Sequence, residues 1–69
     1  MKDRLRKARC DLGLTMAKAA DALFISLSHY SKLEHGTRSP GVHLAKTINN
    51  TFGREIYRIT QDGVSYKEE

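Results

Sequence analysis

Sixty-nine residues suit one domain, near the lower size at which a hydrophobic core alone holds a fold. One cysteine, Cys10, excludes an internal disulfide; no Cys/His spacing suits a metal, and no apolar run reaches membrane length. The net charge of +4 is uneven, with nine Lys/Arg against four Asp/Glu in residues 1–46 and three against four in residues 47–69. Such a basic first two thirds draws polyanions, nucleic acid above all, although solubility alone is also served by it.

Helical spacing dominates residues 2–52. Leu5, Ala8, Arg9 and Leu12 recur at i, i+3, i+4 and i+7, which sets Arg9 inside an apolar stripe, and Gly13 follows as a stop. Thr15 suits the cap of a second helix, Met16 to Leu23, with small inner residues at Ala19 and Ala20. Ser26 suits the cap of a third, Leu27 to His35, stopped by Gly36. Ser39-Pro40 reads as a cap followed by proline at the first helical position. The fourth helix turns Val42, Ala45, Ile48 and Phe52 inward; Asn49-Asn50-Thr51, all weak helix formers, predict early fraying before Gly53.

After Gly53 the pattern changes. EIYRIT and VSYK are rich in β-branched and aromatic residues, and Asp62-Gly63 between them signals a hairpin. Alternation sets Ile56, Arg58 and Thr60 on one face and Tyr57 and Ile59 on the other. The expected fold is mainly α: a four-helix domain over residues 1–53 with a short C-terminal β-hairpin, 54–69, belonging to it.

The third helix poses the functional question. Its outer residues are Ser28, His29, Ser31 and Lys32, with Leu27 at its start, rather than the Glu, Lys, Gln and Ala of an ordinary wet face. Two short helices joined by a tight turn, 15–23 and 26–35, are the core of a helix-turn-helix. The stretch LRKARCDLGLTMAKAADALFISLSHYSKLEHGTRSP resembles the Cro/repressor (XRE-type) helix-turn-helix family of bacterial and phage regulators, most of all in LGLT, Ala20 and LEHGTRSP. Two departures stand out. Met16 replaces a glutamine usual in that family, and Phe24 replaces the glycine of the turn. A β-carbon in a left-handed conformation costs about 1–2 kcal/mol, which burial of the phenyl ring is expected to offset.

The resemblance implies a sequence-specific repressor on double-stranded DNA, with the third helix in the major groove. Carried over by position, the base-reading residues are Ser26, Leu27, Ser28, His29, Ser31 and Lys32. Phosphate contacts fall to the start of the second helix at Met16 and Ala17, and to His35 and Arg38. Arg9 and Glu34 match a partly buried salt bridge of the family. The tail resembles the C-terminal strands of the phage lambda Cro repressor, which implies a homodimer through Ile56, Tyr57, Ile59, Val64 and Tyr66. An isolated hairpin with a free edge points the same way.

No cofactor, metal, membrane contact or small-molecule ligand is expected, and the chain reads as cytoplasmic. His29, His35, His43, Glu34 and Cys10 follow no metal or catalytic spacing, so enzymatic activity is not expected. The competing expectation is a protein-binding antitoxin or antirepressor module on the same helical scaffold.

Overall fold

A computed structural model describes residues 4–66, with side chains as far as Val64. The order of elements is α1 (Arg4–Asp11), α2 (Met16–Ala22), α3 (Leu27–His35), α4 (Val42–Phe52), β1 (Tyr57–Thr60) and β2 (Gly63–Tyr66). This is the mainly helical architecture with a terminal hairpin that the sequence predicts. The proposed start of α1 near Lys2 lies outside the described residues.

The caps explain most of the boundaries. The Thr15 hydroxyl accepts from the Lys18 N–H at 3.1 Å, and the Ser26 hydroxyl from the His29 N–H at 3.1 Å. Each satisfies one of the donors left unpaired at a helix start. All four helices then close on a left-handed residue: Gly13, Phe24, Gly36 and Gly53, with φ of 71°, 59°, 76° and 68°. Behind Phe24 the Ile25 N–H returns to the Ala20 carbonyl and the Phe24 N–H to that of Asp21. The Thr37 and Gly36 N–H groups do the same to Lys32 and Leu33. This double closure requires positive φ, which glycine adopts freely and phenylalanine does not.

Several expectations are corrected here. The Phe24 ring is not buried but 93 % exposed, so nothing in the core offsets its backbone strain. Leu12 does not continue the stripe of α1: the helix ends at Asp11, the chain turns through Gly13, and Leu12 is left about half exposed. Leu14 packs on the core beyond that turn. Helix α4 begins two residues later than Ser39-Pro40 suggests, with Gly41 as its cap; Pro40 is buried and Val42 largely exposed. The hairpin pairs Thr60 with Gly63, so Gln61-Asp62 form the loop and Gly63 opens β2.

The core runs continuously from α1 to the hairpin. Leu5 and Ala8 meet Ala19 and Ala20 of α2, Leu23 just beyond it, Tyr30 and Leu33 of α3, and Ala45, Ile48 and Phe52 of α4. Tyr30 is fully buried in this cluster, whose α2 members are alanines, and so supplies volume where α2 supplies little. Ile56 precedes the strand and is buried with Tyr57, rather than sharing an open face with Arg58 and Thr60.

Asn49 does not fray. Helix α4 runs through to Phe52, and the Asn49 amide holds the chain that follows. Its Oδ1 accepts from the Ile56 and Tyr57 N–H groups at 2.9 and 3.1 Å, while its Nδ2 donates to the Tyr57 carbonyl at 3.0 Å. A side chain thus stands in for a neighbouring strand.

Two charges link α1 to α3. Arg9 Nε donates to Glu34 Oε2 at 2.6 Å, with side chains only 14 % and 7 % exposed, and Arg9 Nη1 donates to the Leu14 carbonyl at 2.8 Å. The Glu34 hydrogen bond raises the Arg9 pKa beyond its already high ordinary value. Removing one partner of such a pair costs about 3–5 kcal/mol because the other charge is left buried. A chain of this size holds only about 3–10 kcal/mol in all, scaled by residue. Arg9→Ala therefore leaves the domain near its unfolding midpoint at 25 °C; a denaturant titration showing a loss of a few tenths of a kcal/mol contradicts the pairing.

Replacing Phe24 tests the turn. Phe24→Gly removes strain of about 1–2 kcal/mol and adds about 0.5–1 kcal/mol of chain entropy to be lost on folding. The variant is expected to be more stable by about 0.5–1 kcal/mol, whereas Phe24→Ala, which keeps the β-carbon, gains nothing comparable. Thermal melts of the three proteins decide it.

Candidate nucleic-acid interface

Helix α3 presents two distinct sides. At about 100° per residue, Leu27, Ser31, His35, Ser28 and Lys32 fall on one arc of about 140°. Tyr30 and Leu33 point the other way and are buried. Of the five on the arc, Ser28, Lys32 and His35 are exposed, Leu27 is 50 % exposed and Ser31 is half-buried. The sequence-predicted face is thus a continuous polar stripe with one leucine at its N-terminal edge. His29 departs from it, lying half-buried toward the side opposite Leu27.

Intramolecular bonds distinguish the polar groups. The Ser26 hydroxyl is occupied as an acceptor by its capping bond, though its proton remains available. His35 Nδ1 lies 2.7 Å from the Ser31 carbonyl and 3.3 Å from its hydroxyl. A carbonyl only accepts, so Nδ1 carries the proton and donates, which leaves Nε2 as the ring nitrogen outside these bonds. Ser28 is in none of these bonds.

The supporting residues form two groups. At the end of α3 the Thr37 N–H and hydroxyl both donate to the Lys32 carbonyl, at 3.1 and 3.3 Å. Sequence reasoning missed Thr37, because a hydroxyl two residues past a helix carries no fixed spacing signal. Arg38 is exposed on the loop that follows. At the other group, Met16 is half-buried against the core while Ala17 and Lys18 are exposed in the first turn of α2. Lys18 is a second residue the sequence did not single out, since a lone lysine looks like any solvated one.

Behind this face Tyr30 brings its hydroxyl into the interior without a hydrogen-bond partner. Burial first, and then the neighbouring Glu34 carboxylate, hold its pKa well above the ordinary tyrosine range. The group therefore stays a neutral O–H.

The dimer candidates divide. Ile56 and Tyr57 are buried in the protomer's own core. Ile59 and Val64 face each other across the hairpin, both half-buried against that core. The side chain of Tyr66 lies outside the described residues. A cleft of about 50 Å³ lies between Leu33, the 36–40 loop, Tyr57 and Val64. It is far below the roughly 300–1,000 Å³ of an ordinary small-molecule site. Among the described residues no cluster of His, Cys, Asp and Glu could hold a metal, and no helix is long and apolar enough to cross a membrane.

Comparison with known proteins agrees with this geometry. Residues 5–59 match the family described as helix-turn-helix, a span from α1 into β1. The chain is 36 % identical over 53 residues to a Bacillus subtilis (strain 168) protein named uncharacterized HTH-type transcriptional regulator YqaF, covering 77 % of this chain and 70 % of that one. No solved structure matches the chain. Neither match supports the likeness of the tail to the lambda Cro repressor. With its two capped helices, its small alanines at the α2–α3 crossing and a match over most of its length, the chain belongs to the XRE-type helix-turn-helix family.

Proposed function

We propose that the protein is a transcriptional repressor of phage or prophage Cro type, a homodimer that binds a near-palindromic operator in double-stranded DNA through α3. The observation that carries this reading is the exposed stripe of α3, polar but not acidic, on a helix tied to α1 by Arg9–Glu34. Serine hydroxyls meet donors or acceptors on base edges, and Lys32 suits the two acceptors of guanine. His35 and Arg38, at and just beyond the end of α3, and Lys18 with the backbone at Met16 and Ala17 in the first turn of α2 are the groups we assign to phosphates. Repression follows from occlusion: a dimer covering the operator excludes RNA polymerase. The relative named as a transcriptional regulator supports regulation in general. A cytoplasmic location goes with this role.

The dimer reading rests on the hairpin. A two-stranded sheet is marginal alone, and each strand has one edge without a described partner strand. Pairing β2 edges about a two-fold axis joins two sheets, while Ile56 and Tyr57 act from within the protomer by anchoring the hairpin. Such a dimer must set its two α3 helices about 34 Å apart, one turn of DNA. One observation favours a protein partner instead, as in an antitoxin or antirepressor: the bare ring of Phe24.

Salt separates these readings. Binding to DNA must weaken steeply with salt as counterions are released from phosphates, whereas an apolar protein contact does not. On an operator selected from random duplexes, Ser28→Ala and Lys32→Ala each lose about 1–3 kcal/mol and relax base preference. Arg38→Ala instead weakens specific and random DNA alike and flattens the salt slope. If Lys32→Ala weakens both alike, Lys32 is a phosphate contact.

Deleting residues 61–69 tests the interface. The shortened chain should keep its helices by circular dichroism but sediment as a monomer, with operator affinity falling far more than affinity for random DNA. A truncated chain that still sediments as a dimer moves the interface elsewhere.

A further inference from the structure

Leu27 is the one apolar side chain on the exposed arc of α3, and the fold leaves half of it in solvent. It is the first residue of the helix. The cap is made by Ser26, and Leu27 is not among the buried residues of the core. A hydrophobic staple joins the residue before the cap to the fourth helical position, so Leu27, at the first, is outside that motif as well.

The chemistry of the groove narrows what such a side chain can meet. Base edges there are hydrogen-bond donors and acceptors, with a single apolar feature, the C5-methyl group of thymine. A leucine against any other edge strips water from a polar atom and returns no bond, which is unfavourable. Against a methyl group it removes apolar surface from water on both sides. Ser28 and Lys32 lie about 100° and 140° round the helix, within reach of neighbouring bases.

We propose that Leu27 is a specificity-determining residue that reads the C5-methyl group of a pyrimidine in each operator half-site. The proposal rests on α3 reading DNA. It makes the protein a detector of the methyl group rather than of thymine itself, so 5-methylcytosine at that position is distinguished from cytosine. A chain of this kind therefore responds to cytosine C5-methylation of its site.

The test uses the full chain and an operator obtained by selection from random duplexes. Each thymine of one half-site is replaced in turn by deoxyuridine, which lacks only the methyl group. One position is expected to lose about threefold to tenfold in affinity. Leu27→Ala abolishes the difference there while its response at other positions is unchanged. With cytosine at that position, 5-methylcytosine binds the native protein more tightly than cytosine, and Leu27→Ala removes the preference. The proposal is overturned if no thymine is sensitive, or if Leu27→Ala keeps the sensitivity. Failure to enrich any sequence overturns the DNA-reading function as well, so the two failures are distinct. Circular dichroism and melting of Leu27→Ala, whose side chain is outside the core, exclude unfolding as the cause.

Discussion

The Arg9–Glu34 pair is the constraint on which the rest depends. It joins the first helix to the third, and the same guanidinium holds the Leu14 carbonyl at the turn between α1 and α2. Three segments are thereby tied at one planar group. An arginine suits this because its fork offers several donors in fixed directions, so orientation as well as distance is specified. The cost of burying two charges is met by short geometry and by the extra carbonyl acceptor. Tyr30 beneath it, its hydroxyl beside the Glu34 carboxylate, fills the space that α2's alanines leave. What results is a third helix fixed against rolling.

The ends of that helix are fixed as firmly as its back. Ser26 caps its start, Gly36 and Thr37 close its end, and the left-handed Phe24 sets the direction from which the chain enters. Both turns use the same double closure, so α3 is held between two inflexible corners. A side chain on such an element keeps its place relative to the others, and this is what reading a sequence of bases requires. The strain at Phe24 is stored in one of those corners, with its ring in solvent.

The hairpin is held differently. Asn49 offers the backbone of residues 56 and 57 the hydrogen bonds that another strand would supply, and Ile56 and Tyr57 enter the core beside Phe52. The sheet is therefore an extension of α4 rather than an independent unit. Its position follows the helical core, so any assembly built on it inherits the orientation of α3.

How much of this was legible in the sequence depended on the range of the interaction concerned. The helices, the caps at Thr15 and Ser26 and the stops at Gly13, Gly36 and Gly53 were readable, because each rests on contacts within a few residues. Arg9 with Glu34 was readable through family resemblance and through a charge placed in an apolar stripe. The outward stripe of α3 followed from its spacing. Tertiary structure decided the rest. Asn49 looks like a helix breaker until residues 56 and 57 arrive beside it, and nothing local announces a partner seven residues on. Phe24 looks like a core residue until the closure of α2 turns its β-carbon to solvent. Leu12 and Val42 are more exposed than their spacing predicts, and Ile56 leaves the face of Arg58 and Thr60, because each lies at the edge of an element, where the regular period ends. Periodicity assigns a face only while the backbone stays regular; at corners the direction of a side chain is set by how the neighbouring elements pack.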